Sequence, residues 1–161
     1  MFNFNDKSQT KKFTAGTNSK KYIILHHTGG GSYKSNMDYL ANSSAQVSCH
    51  FVVGPNGEAG KIGDPDQILW HAGNSKWGSD KMLNSSSLGI EIVGPGFTDV
   101  QRDKVISLVQ HLMAVYNVPA KNVLRHKDIS TTGKVDVDDS FWNTRFKTFQ
   151  DFQNSLTPHA A

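Results

Sequence analysis

The sequence predicts one α/β domain in which helices flank a mixed central β-sheet. Short apolar runs at residues 22–25, 47–53 and 88–93 are typical of strands buried on both faces. Apolar residues at helical spacing follow in the second half of the chain. The 161 residues, 37% of them hydrophobic, suit a single globular domain with a substantial core.

In the first half of the chain, three strands and one helix are predicted before the first long loop. Residues 22–25 form a strand that ends before Gly29-Gly30-Gly31. Residues 35–41 form a short helix capped by a Ser or an Asn. Residues 47–53 and 58–62 form a hairpin, because Pro55-Asn56-Gly57 between them is a turn signal.

A short apolar piece and a loop connect this half to the next strand. Residues 68–73 are the apolar piece, and residues 74–87 are a long polar loop with Trp77 as its large apolar member. Residues 88–93 then form a buried strand.

The second half contains two predicted helices. Thr98 and Gln101 have the spacing of a capping box, which begins the first helix. Its apolar stripe consists of Val105, Leu108, Val109, Leu112 and Tyr116. After Pro119 and a strand at residues 123–125, a last helix from about Asp139 carries Trp142, Phe146, Phe149 and either Phe152 or Leu156 on one side.

Three segments are predicted from these patterns: a basic N-terminal arm at residues 1–19, the main folded domain at residues 20–156 and a tail at residues 157–161. The arm is polar and carries Lys7, Lys11, Lys12 and, at its border, Lys20. We expect it to be mobile or loosely docked. It is either an untied terminus or a basic arm that steers the protein to a polyanion.

Composition excludes several classes of protein. The net charge of +3 and the pI of about 9.0 mildly favour an anionic partner such as nucleic acid or a bacterial wall polymer. No nucleic-acid-binding motif is present, so we expect no nucleic acid partner. No apolar run approaches the ~18 residues of a membrane span, and the first residues lack the apolar core of a secretion signal. Synthesis in the cytoplasm is therefore expected, without stable membrane insertion.

Cysteine usage narrows the possible metal sites. Cys49 is the only cysteine, so an internal disulfide and a Cys-based zinc finger are both excluded. A small buried hydrophobe is the simpler interpretation of Cys49, although a thiolate ligand or nucleophile is an alternative.

A polar stretch late in the chain has the composition of a metal site. His126 and Asp136 lie ten residues apart, and both residue types are ordinary zinc ligands. A catalytic zinc needs three protein ligands and an open position. His26 or His27, at the end of the first strand, would supply the third. Adjacent strand residues point to opposite faces, so only one of the two ligates, and the pattern does not choose between them.

Two charged residues are candidates for catalysis. Glu91 lies among apolar neighbours, where an unpaired carboxylate is costly. It is either half of a buried salt bridge or a general base that deprotonates zinc-bound water. Lys134 precedes Asp136 by two residues, so their side chains share a direction in extended chain. It either stabilises an oxyanion or is a solvated loop lysine.

Two further histidines have less specific surroundings. His71 is a core histidine, a fourth metal ligand or a substrate contact. His50, between Cys49 and Phe51 in a strand, is expected to pack in the core.

Five sequence blocks together resemble a known family. They are Ile24-Leu25-His26-His27-Thr28, Ser48-Cys49-His50-Phe51, Trp70-His71-Ala72-Gly73, Leu88-Gly89-Ile90-Glu91 and Arg125-His126-Lys127-Asp128-Ile129. In this order and spacing, they resemble the type 2 N-acetylmuramoyl-L-alanine amidases. This superfamily includes phage lysozymes, bacterial recycling amidases and peptidoglycan recognition proteins.

The resemblance implies a set of site residues. His26 rather than His27, together with His126 and Asp136, would hold one Zn²⁺ ion, with Lys134 as the catalytic lysine. It also implies a mixed sheet flanked by helices, with zinc in a surface groove. Thr28, His71, Asn74 and Trp77 are the predicted substrate contacts.

The chain departs from the family pattern at two places. Val137-Asp138 replaces the usual Pro-Gly after the third ligand, so Asp138 and Asp139 are rival carboxylates. Cys49 stands where some members carry a catalytic Tyr; other members use a Glu in the fourth block, which here is Glu91. Both departures are compatible with a zinc site that has two His ligands, one Asp ligand and a Glu as the general base.

The resemblance implies a zinc hydrolase that cleaves the amide between the lactyl group of N-acetylmuramic acid and L-alanine in peptidoglycan. We expect a monomeric phage endolysin, a bacteriolytic and antimicrobial enzyme that reaches the periplasmic side of the wall through a holin or similar export partner. The alternatives are a cytosolic recycling amidase acting on anhydromuropeptides, a non-catalytic peptidoglycan-binding module and a zinc endopeptidase that cuts within the stem peptide.

Overall fold

The apolar runs at residues 22–25 and 88–93 lie at the centre of a mixed β-sheet. The computed structural model describes residues 2–158 of the chain. Within that range the strands are β1 (Asp6–Lys7), β2 (Phe13–Thr14), β3 (Tyr22–His27), β4 (Phe51–Val53), β5 (Ala59–Lys61), β6 (Ile68–Leu69), β7 (Lys76–Trp77), β8 (Asp80–Lys81), β9 (Ser87–Ile92) and β10 (Val123–Arg125). The helices are α1 (Tyr33–Asn42), α2 (Asp99–Tyr116), α3 (His126–Ile129), α4 (Ser140–Asn143) and α5 (Phe149–Ser155).

Strand directions in the main sheet are mixed, as the sequence predicted. The order is β1-β5-β4-β9-β3-β10. Strands β4, β9, β3 and β10 are mutually parallel, whereas β5 runs antiparallel to β4. The pair β3 and β9 is in register from Tyr22 opposite Ser87 to His27 opposite Ile92. The predicted fold class, a mixed sheet flanked by helices, is confirmed.

Both faces of the sheet are covered, which explains why consecutive residues in the sequences of β3 and β9 are mostly apolar. On one face, alternate residues of β3, β4 and β9 pack against the apolar stripe of α2 and against α4 and α5. On the other face, α1 packs over Val52, and Ile24 packs with Ala72 and Leu83. His26 and Glu91 alternate onto this second face, so the sheet itself directs them away from the larger core.

The predicted capping box at the start of α2 is confirmed. The Thr98 hydroxyl accepts from the Gln101 backbone N–H, and the Gln101 side chain accepts from the Thr98 backbone N–H. The helix ends at Asn117, whose φ of 57° is left-handed and closes the last turn.

The first helix and the hairpin differ from prediction at their boundaries. Helix α1 begins two residues earlier than residue 35, because Ser32 is the cap and accepts from the Ser35 N–H. The hairpin strands are shorter than the predicted 47–53 and 58–62, but the turn between them lies where it was expected.

Residues 68–87 are more ordered than the predicted apolar piece and loop. Strand β6 pairs with β2, and β7 and β8 form a two-stranded ribbon. A 3-10 helix at Leu83–Ser86 then leads directly into β9.

The predicted single last helix is two helices. Helix α4 ends at Asn143, and α5 begins only at Phe149. Lys147 between them has a φ of 69°, a left-handed conformation that interrupts a helix. The break allows Phe141 and Trp142 from α4 and Phe152 from α5 to pack against one another.

The N-terminal segment, which was expected to be mobile or loosely docked, makes specific contacts with the rest of the structure. Strand β1 lies parallel to β5 at the edge of the main sheet. The Phe4 ring stacks on Phe51, and the buried Asn18 amide donates to the Ser87 carbonyl oxygen. Lys12 Nζ donates to the carbonyl oxygens of Tyr39 and Ala45, at the end of α1. These contacts join residues far apart in sequence, which a local pattern does not reveal.

The remaining expectations concern the termini and membranes. The predicted tail at residues 157–161 lies outside the described residues from 159 onward. Among residues 2–158, no helix has both the length and the apolar character that crossing a bilayer requires.

Candidate metal centre

Two histidines meet at the carboxyl ends of adjacent parallel strands. His26 is near the end of β3, and His126 directly follows β10, which pairs with β3 so that Arg125 lies beside Leu25. Parallel neighbours finish at the same edge of a sheet, where polar loops gather. Both imidazoles are buried, and their Nδ1 atoms lie 3.1 Å apart.

Asp136 joins them from the loop after α3. Its Oδ2 atom lies 3.3 Å from His26 Nδ1 and 3.2 Å from His126 Nδ1. The loop is held in place because the Lys127 N–H donates to the Asp136 carbonyl oxygen and Val137 is fully buried in the main core. Val137 is thus an apolar anchor beside the carboxylate.

The three donor atoms fit a tetrahedral zinc ion. Around zinc bound at about 2.0–2.1 Å, tetrahedral ligand atoms lie roughly 3.3 Å apart. The separations of 3.1–3.3 Å between the two Nδ1 atoms and Oδ2 match this spacing. Among residues 2–158, His26, His126 and Asp136 form the one group of this kind that could hold a metal ion.

The rival carboxylates have other contacts. Asp138 Oδ1 accepts from the Ser140 N–H at the start of α4, and the Asp138 N–H donates to His27 Nδ1. Asp139 Oδ1 lies 3.8 Å from Arg125 Nη1. The geometry therefore favours Asp136 over both, and it places His27 outside the ligand cluster.

The protonation of the cluster is set by burial and by the neighbouring groups. Burial lowers the pKa of His26 from 6.5 to about 4 and lowers that of His71 well below its ordinary value. Burial by itself would raise the pKa of Asp136, but its contacts with His126 and His26 hold it well below the ordinary 3.8. Neutral imidazoles and an ionised carboxylate are the forms that bind a metal ion.

Glu91 lies beside the cluster on the central strand β9, opposite His26 in the ladder. The residue is only 9% exposed, and its Oε1 atom has no hydrogen-bond partner among residues 2–158. Burial, with Asp136 nearby, raises the pKa of Glu91 well above the usual 4.5. The buried salt bridge considered from the sequence is not formed, since none of the ion pairs in the described part of the chain involves Glu91.

A groove of about 420 Å³ opens over these residues. Thr28 and Gly29 line one part of it, and the other lining residues include Gln46, Val47, Trp70, Thr132 and Lys134. Lys134 is exposed, and its loop is pinned because the Lys134 N–H donates to Ser130 Oγ. An ammonium group can thus approach a ligand held beside Asp136.

The predicted substrate contacts are placed differently from one another. Thr28 lines the groove, and its hydroxyl oxygen accepts from the Gly94 N–H. His71 also lines the groove, although it is mostly buried and its ring contacts His26. Asn74 and the 39%-exposed Trp77 lie beyond the residues that line the groove, so their contact with a substrate stays a prediction.

Sequence reasoning missed the surroundings of His71. His71 Nδ1 lies 2.9 Å from His26 Nε2, and His71 Nε2 lies 3.1 Å from the hydroxyl oxygen of Ser87. It also missed Gln46 and Val47 on the groove wall. The adjacency of His71 to Ala72-Gly73 signalled a special position but not these partners.

Comparison with known proteins identifies relatives by sequence. A family model described as N-acetylmuramoyl-L-alanine amidase matches residues 16–138. N-acetylmuramoyl-L-alanine amidase AmiD of Escherichia coli strain K12 is 29% identical over 135 residues, which cover 72% of this chain and 48% of AmiD. 1,6-anhydro-N-acetylmuramyl-L-alanine amidase AmpD of Enterobacter cloacae is 31% identical over 110 residues, covering 66% of this chain and 58% of AmpD. The chain thus spans about half the length of these curated relatives.

Solved structures share the fold. A selenomethionine derivative of AmpD superposes with a TM-score of 0.78 at 20% identity, covering 98% of this chain and 97% of AmpD. A mutant endolysin from Bacillus subtilis superposes with a TM-score of 0.74 at 22% identity, covering 97% of this chain and 99% of the endolysin. Escherichia coli AmiD, in complex with the substrate anhydro-N-acetylmuramic acid-L-Ala-D-γ-Glu-L-Lys, has a TM-score of 0.72 at 26% identity. The superposition covers 89% of this chain and 60% of AmiD.

Proposed function

The chain belongs to the N-acetylmuramoyl-L-alanine amidase family, and from this premise we propose that it is a zinc-dependent amidase of peptidoglycan. It cleaves the amide between the lactyl group of N-acetylmuramic acid and the L-alanine of the stem peptide. The observation that carries the proposal is the convergence of His26, His126 and Asp136 beside the buried Glu91 in one groove.

The metal ligands are His26, His126 and Asp136. A zinc ion held by them would supply Lewis-acid chemistry, which would polarise the amide carbonyl and acidify a water molecule. The donor set supports this assignment, since two imidazole nitrogens and one carboxylate oxygen are ordinary zinc ligands, and all three side chains line the groove.

Glu91 is the proton carrier. It removes a proton from the attacking water and returns it to the nitrogen of the departing L-alanine. Its burial and raised pKa support this role, because a carboxylate that is costly to ionise accepts a proton readily near neutral pH. Among residues 2–158 its Oε1 atom has no hydrogen-bond partner, which supports its availability for that contact.

Lys134 stabilises the negative charge that develops on the carbonyl oxygen. Its position on the groove lining, two residues before Asp136, supports this role. A positive charge already in place at such a site lowers the barrier without reorganisation. Thr28 and His71 lie within the same groove lining, and Asn74 and Trp77 would contact the substrate beyond it.

The proposed setting is lysis of the bacterial wall, with intact peptidoglycan as substrate and export by a holin-type partner. The fold of the Bacillus subtilis endolysin, matched over 99% of its length, supports this setting. The similarity to AmpD supports a second candidate, a recycling amidase that acts on soluble anhydromuropeptides.

Digestion of purified sacculi by the zinc-loaded protein tests the activity. Mass spectrometry of the products should show free muramic lactyl carboxyls and new L-alanine amino groups. Amino groups released inside the stem peptide would instead indicate an endopeptidase, and binding to sacculi without any product would indicate a recognition module.

Parallel assays with soluble anhydromuropeptides separate the two settings. A lytic enzyme should turn over sacculi at least as efficiently as soluble fragments. Turnover of the fragments with sacculi left intact would assign the recycling role.

A further inference from the structure

We propose that His71 and Ser87 are positioning residues that hold His26 in the one tautomer able to bind the metal. A neutral imidazole carries one N–H and one lone pair, and only the lone pair binds a metal ion. His26 must therefore keep its proton on Nε2 so that Nδ1 faces His126 and Asp136. The inference rests on the zinc site of the proposed function.

The direction of the hydrogen bonds follows from a backbone carbonyl. The Ser87 hydroxyl donates to the Leu83 carbonyl oxygen, which can only accept. With its proton engaged there, Ser87 Oγ accepts from His71 Nε2 at 3.1 Å. His71 Nδ1 then carries the lone pair and accepts from His26 Nε2 at 2.9 Å. Each hydrogen bond therefore fixes whether the next nitrogen is a donor or an acceptor, and the lone pair of His26 is left on Nδ1.

The hydrogen bonds from His26 through His71 to Ser87 form a relay, and reversing their direction would prevent His26 from binding the metal. If His71 carried its proton on Nδ1, it would donate to His26 Nε2 and drive the His26 proton onto Nδ1. That proton would point at His126 Nδ1, 3.1 Å away, and at Asp136 Oδ2, 3.3 Å away, which is where the metal would bind. Ser87 is thus the residue that decides between a binding and a non-binding His26.

The packing leaves His71 little freedom to turn. His71 is 5% exposed and Ser87 is fully buried, and the His26 and His71 rings meet edge to face at 89°. A Cβ atom at residue 89 would lie 2.5 Å from His71 Cγ, so the space for the ring exists because that position is Gly89. The glycine of the Leu-Gly-Ile-Glu block is therefore needed so that the His71 ring can pack beside the metal site.

One dipeptide serves both histidine ligands. The side chain of His71 orients His26, and the carbonyl oxygen of the next residue, Ala72, accepts from His126 Nε2 at 3.1 Å. The carbonyl fixes the His126 tautomer without help, whereas His71 can take either tautomer and needs Ser87. Partners of this kind fix ring orientation and metal affinity in zinc proteins.

Zinc affinity of three variants, measured by competition with a chromophoric chelator, tests the relay. Ser87→Ala and His71→Phe should each weaken zinc binding by about 10- to 100-fold, the usual effect of losing such a partner. His71→Asn places an amide oxygen near the position of Nδ1, so it should bind zinc more tightly than His71→Phe although it fills less space. The reverse order would assign His71 to packing and overturn the proposal.

The tautomer itself is read from ¹⁵N-histidine NMR of the metal-free protein. Wild type should show His26 protonated on Nε2 alone, and Ser87→Ala should show a mixture or the Nδ1-protonated form. A wild-type His26 protonated on Nδ1 would overturn the proposal.

Ser48→Ala is the matched control. Ser48 is also fully buried, and it accepts from the Trp70 N–H next to His71 without touching the relay. Its zinc affinity should equal that of wild type; an equal loss in both serine variants would show general loosening and overturn the relay.

Binding measurements need no substrate, so the two proposals fail separately. Zinc binding that depends on Ser87, in a protein that leaves muropeptides intact, would keep the relay and reject the amidase. Cleavage of peptidoglycan with Ser87-independent zinc affinity would do the opposite, and a wild type that binds no zinc would reject both.

Discussion

At the scale of single residues, the carboxylate of Asp136 decides the composition of the proposed metal centre. It lies within 3.3 Å of both histidine nitrogens, whereas Asp138 accepts from the Ser140 N–H. Replacing Asp136 by Ala should weaken zinc binding by more than about 100-fold and abolish activity with it, since even indirect partners contribute about 10- to 100-fold. Metal content after dialysis and a sacculus assay measure both effects.

The same substitution at Asp138 is the control. Asp138→Ala should keep its zinc and lose only the hydrogen bond that the Asp138 carboxylate accepts from the Ser140 N–H, a change in stability of about 1 kcal/mol. Zinc loss in Asp138→Ala with retention in Asp136→Ala would reverse the ligand assignment.

Glu91 is the residue whose burial is hardest to explain without chemistry. Glu91→Gln keeps the size and removes the proton acceptor, so zinc should stay bound while kcat falls by about 10²- to 10⁴-fold. Steady-state kinetics with muropeptides, alongside metal analysis, separate the two effects. Glu58, the other glutamate of the chain, accepts from the Asn56 N–H in the hairpin turn. Glu58→Gln should leave kcat unchanged, and near-normal turnover in Glu91→Gln would remove it as the base.

At the scale of elements, the order of strands brings the proposed metal ligands together. Strands β3 and β10 are neighbours although about 100 residues separate His26 from His126. The loop after α3 adds Asp136, and β9 on the other side of β3 adds Glu91. The site therefore depends on the pairing of β3 with both neighbours.

The N-terminal segment contributes to the stability of this arrangement. Phe4 stacks on Phe51 at 5.3 Å and packs against the main core, whereas Phe13 in β2 is 43% exposed. We expect Phe4→Ala to lower the free energy of unfolding by about 1–2 kcal/mol, because a partly buried ring is removed. Phe13→Ala should change it by at most about 0.5 kcal/mol. Urea denaturation of the pair measures the difference, and equal effects would show that Phe4 is not docked in solution.

At the scale of the whole molecule, buried histidines make the stability of the metal-free protein depend on pH. Burial lowers the pKa of His50 and of His26 from 6.5 to about 4, and that of His71 also falls. Their pKa values are lower in the folded than in the unfolded state. The unfolded chain thus binds more protons between about pH 6.5 and pH 4, and stability falls as the pH falls through that window.

Urea denaturation with a chelator, repeated from pH 7.5 to pH 4, measures this loss. His50 by itself corresponds to on the order of 3 kcal/mol across the window. His50→Gln should flatten the profile while lowering stability at pH 7, because the Gly89 N–H loses its acceptor. A stability that stays constant between pH 7 and pH 5 would contradict buried neutral imidazoles.

Local patterns in the sequence determined the mixed sheet, the capping box of α2 and the candidate site residues. Burial on both faces produces uninterrupted apolar runs, and a cap needs residues only three apart, so both are visible in short windows. Glu91 was recognisable because a carboxylate in an apolar strand is costly. The resemblance of five blocks selected His26 over its neighbour His27.

Only the tertiary structure decided what these residues touch. The docking of residues 2–18, the break between α4 and α5 and the relay from Ser87 through His71 to His26 all join residues that are distant in sequence or depend on packing. Periodicity shows which face of an element is buried, but not which side chain lies opposite. Hydrogen-bond direction requires distances between specific atoms, so the polarity of the relay emerged only from the folded arrangement.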